Sequence, residues 1–346
     1  MPREIVTKDG SSFWFRSYEL PPLGPKDVRV KVEFASPKHG TELHLITGSV
    51  FDRKRWDPEL RMFLPLPDEQ ERTVPAERAV GNIVVGTVTA VGSDVSRFSV
   101  GDRVFAYAPV REEHQAPEWL WYSAAGLSDV DAVCTDPAHV AFVAVRDGNV
   151  RIGDTVAVFG LGAIGLLTVQ IAKAGGARMV FAVDPVSTRR AYAEAHGACL
   201  ALDPSSCDAA LEIKLATGKS GVDVAIETSG NARALNEAIR CVRQCGTVVH
   251  VPWGPKNAAD LHLDEEFHLN RITMVGSQAV WNNPDRSHPL WNEERARQTV
   301  AELFRDGVIT SEGIVTPILP FEDAPSALPE LFSNPEKAIK VGVRLS

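Results

Sequence analysis

The sequence predicts an α/β chain of two domains, a β-rich amino-terminal part followed by a doubly wound parallel sheet. Three observations predict it. At 346 residues the chain exceeds one typical domain. Residues 1–35 and 78–107 read as β segments punctuated by Gly and Pro. Between residues 155 and 276, short apolar β runs alternate with helical stretches, the pattern of a parallel sheet covered by helices.

Taken in order, residues 1–35 alternate apolar and polar, with Pro21, Pro22, Gly24 and Pro25 between β segments and a strand over Asp27 to Phe34. Residues 36–48 form a polar loop running into a short helix. Residues 49–78, rich in charge and proline, read as an irregular surface excursion or a lid. Strands follow over Arg78 to Val91 and Val100 to Tyr107. Within 109–131, Trp119, Trp121 and Tyr122 either line a pocket or fill a core. Asp136 to Val145 is helical and leads through Asp147-Gly148 to the second domain. There, β runs at Thr155 to Phe159, Met179 to Val183, Val222 to Glu227, Thr247 to Val251 and Ile272 to Gly276 alternate with helices over 166–174, 187–196 and about 231–243. Asn292 to Asp306 is an amphipathic helix, and the tail ends in a β run over Ala338 to Arg344. The expected division is 1–150, closed by 287–346, and 151–286.

The stretch 154–184 carries the strongest chemical signal. Gly160-Leu161-Gly162-Ala163-Ile164-Gly165 has G-x-G-x-x-G spacing between a strand and a helix. The first glycine permits the tight turn, the second lets a pyrophosphate approach the backbone, and the third lets helix and strand pack closely. The N–H groups and dipole at the helix start favour phosphate. Asp184 closes the next β run 19 residues after Gly165, where a carboxylate binds adenosine ribose hydroxyls. This Rossmann-type fingerprint predicts a dinucleotide site. Asp184 favours NAD, since a carboxylate repels a 2′-phosphate; Arg189 and Arg190 close behind keep NADP open.

The formal net charge is -9 with no Lys/Arg block, which argues against nucleic acid and anionic membrane as partners. Gly, Pro or charge interrupts every apolar stretch before membrane-spanning length. The amino terminus lacks the apolar core of a signal peptide, so a cytoplasmic location is expected. The five cysteines, Cys134, Cys199, Cys207, Cys241 and Cys245, read as free thiols. Cys241 and Cys245, four apart at an expected helix end, share a face for packing rather than for metal.

Several segments together resemble the medium-chain dehydrogenase/reductase family of zinc alcohol and polyol dehydrogenases. They are His39-Gly40-Thr41-Glu42-Leu43-His44, Gly81-Asn82-Ile83, Val85 to Val88, Val100 to Val104, Asp136-Pro137 and Gly160 to Gly165. The resemblance spans essentially the whole chain. It implies a GroES-like catalytic domain closed by the tail, a Rossmann domain, and a cofactor in the cleft between them. The departures concern zinc. His39 replaces the family's cysteine ligand, Asn82 its histidine and Ile83 the following glutamate, while Asp136 stands at a glutamate of many relatives. An amide oxygen is a poor zinc ligand and isoleucine is none; the remnant His39, Asn82 and Asp136 could hold a metal only weakly, and absence of a catalytic zinc is the expectation. The structural zinc lobe is missing, because no cysteine lies between Asp102 and Cys134.

Thr41 and His44 match family positions where a hydroxyl touches the substrate oxygen and a histidine passes the proton onward. Without a metal, His39, Lys38 or the positive nicotinamide ring must stabilise the alkoxide. Simpler readings stand beside these: Thr41 as a helix cap, His44 as an exposed helix residue, His39 as a structural histidine, Lys38 as a solvated charge, and Glu42 as partner of a cation. Asn82 and Asp136 are candidates for hydrogen bonding to substrate. Thr228-Ser229-Gly230, Val251-Pro252-Trp253-Gly254 and Gly276-Ser277-Gln278 match strand-end turns near the nicotinamide, at the carboxyl ends where open α/β sheets bind ligands. Ser229, Val251, Pro252, Gly276 and Ser277 are therefore cofactor candidates; Trp253 and Trp281 either shape that side of the cleft or pack.

The resemblance implies an NAD(P)-dependent oxidoreductase moving hydride between nicotinamide and a secondary alcohol or ketone, with a polyol, sugar or sugar-derived ring as substrate. The alternatives are a zinc-free reductase of enones or quinones and a non-catalytic nucleotide-binding protein. A homodimer through sheet edges, or a tetramer, is expected from the same resemblance.

Overall fold

The computed structural model describes residues 1–38, 50–52, 54–66, 77–253, 257–279, 286–334 and 336–345. The chain forms two compact units, Met1–Val133 with Val315–Ser346, and Cys134–Ile314.

The first unit begins with β1 (Arg3–Thr7) and β2 (Phe13–Ser17), paired antiparallel. In β3 (Asp27–Ser36) alternate residues Val28, Val30, Val32 and Phe34 are buried, as period-two patterning requires. A hairpin of β4 (Lys54–Asp57) and β5 (Met62–Pro65) sets Trp56 against Phe63, ring centroids 5.1 Å apart. The expected irregular excursion thus contains regular structure, because this aromatic pair sits directly across the two strands. Next come β6 (Arg78–Ala79), β7 (Ile83–Val91), β8 (Arg103–Tyr107), β9 (Glu113–Pro117) and β10 (Tyr122–Ser123). The strands run β10-β8-β7-β3, with β9 also on β3. Gly86 lets β7 pass β3: a Cβ there would lie 2.1 Å from the Lys31 carbonyl oxygen. Trp121 is core, whereas Trp119 is 57% exposed. His114 is buried beside Trp121, its Nε2 2.8 Å from the Pro109 carbonyl, and burial pushes its pKa down to about 4.

The second unit starts within α1 (Asp129–Asp147), longer than the sequence suggested. It continues through β11 (Thr155–Phe159), α2 (Ala163–Ala174), β12 (Met179–Val183), α3 (Ser187–Ala195), β13 (Leu200–Leu202) and α4 (Ala209–Ala216). Then come β14 (Val222–Glu227), α5 (Ala232–Cys241), β15 (Val242–His250), β16 (Thr273–Gly276) and α6 (Glu293–Arg305). All sheet pairs are parallel, in the order β13-β12-β11-β14-β15-β16. This is the doubly wound order, whose reversal point lies at β11 and β14. In α6, capped by the Asn292 side chain on the Arg295 N–H, Ala296, Val300, Ala301 and Phe304 form the buried face.

Two expectations need correction. α5 stops at Cys241, because Val242 already pairs with Val222 of β14. Cys241 and Cys245 therefore share no helical face; the first is buried and the second exposed, at φ +57°. Helix α6, expected in the closing tail, lies within the unit of the parallel sheet.

The tail from Val315 belongs to the first unit: β17 (Val315–Pro320), α7 (Ala324–Ser333) and β18 (Lys340–Arg344). β18 pairs antiparallel with β3 and parallel with β17. Phe321, Leu328, Phe332, Val341 and Val343 join Ile5, Val30, Val84 and Trp121 in one core. No helix among the described residues is long and apolar enough to cross a membrane.

Candidate functional site

The glycine turn sits at the reversal point of the parallel sheet. β11 is buried throughout and ends at Phe159. Gly160 then adopts φ +84°, and its N–H donates to the Val183 carbonyl at 2.8 Å. A Cβ on Gly160 would meet Ser229 Cβ at 2.7 Å, and one on Gly165 would lie 1.8 Å from the Gly160 carbonyl oxygen. These two glycines are demanded by the protein's own packing. Gly162 differs: at φ -70° it precedes α2, and a Cβ there meets nothing within 4 Å. Space in front of Gly162 is open.

Ala163 and Ile164 begin α2, which has neither a side-chain cap nor an acidic residue in its first turn. The first turn thus places no acidic side chain of its own at the positive end of the helix dipole, where a phosphate is favoured. Leu161 is fully buried, and its N–H donates to Asp184 Oδ2 at 2.7 Å.

Asp184 follows β12 and is 4% exposed. Its Oδ1 accepts the Val186 N–H at 2.8 Å, and Arg189 Nη1 lies 3.8 Å from Oδ2. Arg190 turns to the carbonyls of Asp184 and Pro185, at 2.7 and 2.8 Å, and to Asp203 at 3.2 Å. The acid ties the glycine turn to the start of α3, a role the sequence reading did not give it.

Beyond β14, Glu227 is fully buried. Its Oε1 accepts the Ser229 N–H at 2.6 Å, the Ser229 hydroxyl at 2.5 Å and the Gly230 N–H at 2.9 Å. Its Oε2 lies 3.1 Å from Nδ1 of His250, the last residue of β15. A carboxylate only accepts, so that nitrogen carries the proton. The Val251 N–H donates to the Glu227 carbonyl at 3.0 Å, and Pro252 follows, half-buried. Gly276 ends β16, and the Ser277 N–H donates to the His250 carbonyl at 2.9 Å. The sequence reading missed Glu227 and His250. The available signals were an acid ending an apolar strand before Thr-Ser-Gly, and a histidine interrupting the apolar run Val248 to Val251.

The glycines, Asp184, Arg189, Ser229, Val251 and Ser277 are joined by these contacts. The remaining candidates are not gathered in this way. Asn82, 6% exposed, lies just before β7 in the first unit; Asp136, 2% exposed, lies in α1 within the second. His39, Thr41, Glu42, His44, Gly254 and Trp281 lie outside the described residues. Trp253 is 48% exposed. Among the described residues no group of three His, Cys, Asp or Glu side chains is placed to hold a metal.

A classical dinucleotide-type sheet, joined in sequence to an antiparallel β unit completed by the chain's own tail, defines the architecture of medium-chain dehydrogenases. Residues 24–127 match the alcohol dehydrogenase GroES-like domain, and residues 163–289 match the zinc-binding dehydrogenase domain. The chain is 38% identical over 340 residues to D-guloside 3-dehydrogenase of Escherichia coli (strain K12), covering 94% of this chain and 95% of that protein. It is 31% identical over 293 residues to (R,R)-butanediol dehydrogenase of Bacillus subtilis (strain 168), covering 74% and 77%. The crystal structure of 2R,3R-butanediol dehydrogenase from Bacillus subtilis superposes with a TM-score of 0.78 at 24% identity, over 100% of both chains. The chain belongs to the zinc-type medium-chain dehydrogenase/reductase family, and it is an oxidoreductase.

Proposed function

We propose that the protein is an NAD-linked dehydrogenase that oxidises a secondary alcohol on a sugar or glycoside ring, or runs the reverse reduction. The observation that carries the reading is the uncapped start of α2 behind the open space at Gly162, with Asp184 beside it. The sugar class follows from the similarity to D-guloside 3-dehydrogenase over nearly the full chain.

In this reading the N–H groups at the start of α2 hold the pyrophosphate, and Asp184 accepts from the adenosine ribose. Asp184 already makes an ion pair with Arg189, and Arg190 is spent on Asp203 and two carbonyls, which supports NAD over NADP. Bound nicotinamide supplies the hydride acceptor. Thr41 takes the substrate hydroxyl proton and His44 passes it to solvent, while His39, Asn82 and Asp136 hydrogen-bond the sugar. The donor set speaks against a catalytic zinc: where relatives place imidazole and carboxylate, Asn82 offers a neutral amide and Ile83 offers nothing. Alkoxide stabilisation then falls to hydrogen bonds and to the cationic ring.

Edge strand β16 supports a homodimer, since Thr273, Met274 and Gly276 are exposed and β15 is its partner on one side. The five free thiols suit the reducing cytoplasm.

The test is turnover by the purified, metal-analysed protein with NAD and a panel of methyl glycosides and polyols, and with NADH against ketones and enones. The reading expects NADH formation with glycosides and no dependence on added zinc. Reduction of enones alone would reassign the chemistry to C=C bonds. Nucleotide binding without turnover on any substrate would leave a non-catalytic protein. Activity abolished by chelation and restored by zinc would overturn the metal-free centre.

A further inference from the structure

Two buried carboxylates of this chain are met by arginine. Glu4, 1% exposed, lies 2.7 Å from Arg16 and 2.5 Å from Arg111, and Asp184 has Arg189 at 3.8 Å. Glu227, fully buried at the end of β14, is different. Its partners are the Ser229 N–H and hydroxyl, the Gly230 N–H and Nδ1 of His250. Among the described residues no arginine or lysine pairs with it. With His250 as a neutral donor the pair carries one net negative charge. A buried net charge is costly unless a counter-charge completes it.

The fold supplies none nearby. Phe159, Glu227, His250 and Gly276 stand in register across β11, β14, β15 and β16. Phe159 is apolar, and a Cβ on Gly276 would meet nothing within 4 Å. Charges on the flanking segments are engaged elsewhere. Arg286 donates to the Gly276 carbonyl at 3.2 Å and pairs with Asp147 at 3.0 Å. Arg233 of α5 is exposed and faces Asp260 at 3.4 Å. A dinucleotide with its pyrophosphate at Gly162 and its adenosine toward Asp184 sends its nicotinamide along the ends of β14 and β15. That ring is a cation when oxidised and neutral when reduced.

We infer that Glu227, held by His250, is the counter-charge of the oxidised nicotinamide and makes the site prefer oxidised NAD to NADH. The inference rests on the dehydrogenase reading above. The attraction acts through space and on one redox form only. Two strand spacings are about 10 Å. Unit charges at about that distance, in an effective dielectric of about 20, attract enough for an affinity difference of about tenfold.

The experiment titrates oxidised NAD, NADH and ADP-ribose, which lacks the ring, into the full-length protein by calorimetry. In Glu227→Gln the amide oxygen still accepts from Ser229 and Gly230, and the amide nitrogen turns to His250. Oxidised NAD affinity should fall about tenfold, while NADH and ADP-ribose affinities stay within about twofold of wild type. The midpoint potential of the bound couple should rise by about 30 mV, that tenfold change for two electrons. His250→Lys leaves Glu227 in place beside a fixed cation and should show the same selective loss; His250→Gln keeps the charge and should not. These two variants decide the matter if Glu227→Gln does not fold. Equal losses for all three ligands would mean a structural carboxylate and overturn the inference. So would unchanged oxidised NAD affinity in Glu227→Gln, or His250→Lys and His250→Gln behaving alike. Wild type that binds neither NAD nor NADH would sink the dehydrogenase reading itself, whereas failure confined to the variants sinks the Glu227 assignment alone.

Discussion

Gly162 and Gly165 stand three residues apart in one motif, yet one faces open space and the other backbone, and a pair of alanine variants separates the proposed binding duty of the first from the packing duty of the second. In Gly165→Ala the new Cβ would lie 1.8 Å from the Gly160 carbonyl oxygen and 2.9 Å from Thr228 Oγ1. The nearer obstacle is backbone, held by the Thr228 hydroxyl at 2.7 Å, so relief requires α2 to move off β11. Overpacking costs about 1–3 kcal/mol, and a rigid obstacle puts this case near about 3. At about 2–4 °C per kcal/mol, ligand-free unfolding should fall by about 6–12 °C. In Gly162→Ala the Cβ enters open space at an ordinary φ of -70°. A slightly poorer cap and a less flexible unfolded chain offset one another, leaving stability within about 0.5 kcal/mol. The methyl group instead meets the pyrophosphate, and NADH affinity should drop about ten- to a hundredfold. Differential scanning fluorimetry and NADH titration read the two effects. NADH affinity unchanged in Gly162→Ala, or a Gly165→Ala protein that melts like wild type, would refute the assignment of binding to one glycine and packing to the other.

Three further outcomes are expected. His114 has a folded pKa near 4, mainly through burial, against about 6.5 when unfolded, so between these values the unfolded chain binds more protons and stability falls as pH drops. Urea unfolding should lose about 3 kcal/mol from this residue between pH 6.5 and 4, and His114→Gln should flatten that slope; parallel slopes in both proteins would contradict it. Met274→Lys places a charge on the exposed face of edge strand β16 and should convert a dimer to monomers by light scattering, whereas an unchanged mass would move the interface elsewhere. Thiol labelling of the native protein should modify exposed Cys199 and Cys245 first and spare buried Cys134 and Cys241 until unfolding, Cys241 also because burial pushes its thiol pKa up; early labelling of Cys241 would mean that α5 opens readily.

What the sequence made legible was local. G-x-G-x-x-G between a strand and a helix fixes its neighbours within a few residues, and the contacts of Gly160 and Gly165 follow from that geometry. The β runs from Thr155 to Gly276 were legible because each is short, apolar and bounded by turns. What escaped depends on partners distant in sequence. Val242 leaves α5 because Val222 waits in β14, which periodicity within 231–243 cannot reveal. Glu227 looked like an ordinary strand end until the fold set His250 against it. The proposed proton path was legible only through family resemblance, and Thr41, His44 and His39 lie outside the described residues.

Asp184 shows why cofactor preference and fold are hard to separate in this unit. One oxygen takes the Leu161 N–H and the other the Val186 N–H, so the carboxylate joins the glycine turn after β11 to the start of α3 after β12. Each oxygen keeps further lone-pair capacity for a ribose hydroxyl. Alanine there would remove the ribose acceptor and leave the buried Leu161 N–H unpaired, a loss of about 1–3 kcal/mol in the turn itself. Asparagine would preserve one acceptor but must present its amide nitrogen to one of two N–H donors. The carboxylate is the side chain that satisfies both donors and still accepts from a ligand. If Asp184 binds the ribose as proposed, NAD preference and a stable glycine turn act through the same atoms, and a change of cofactor preference at this position must be accompanied by a new partner for Leu161.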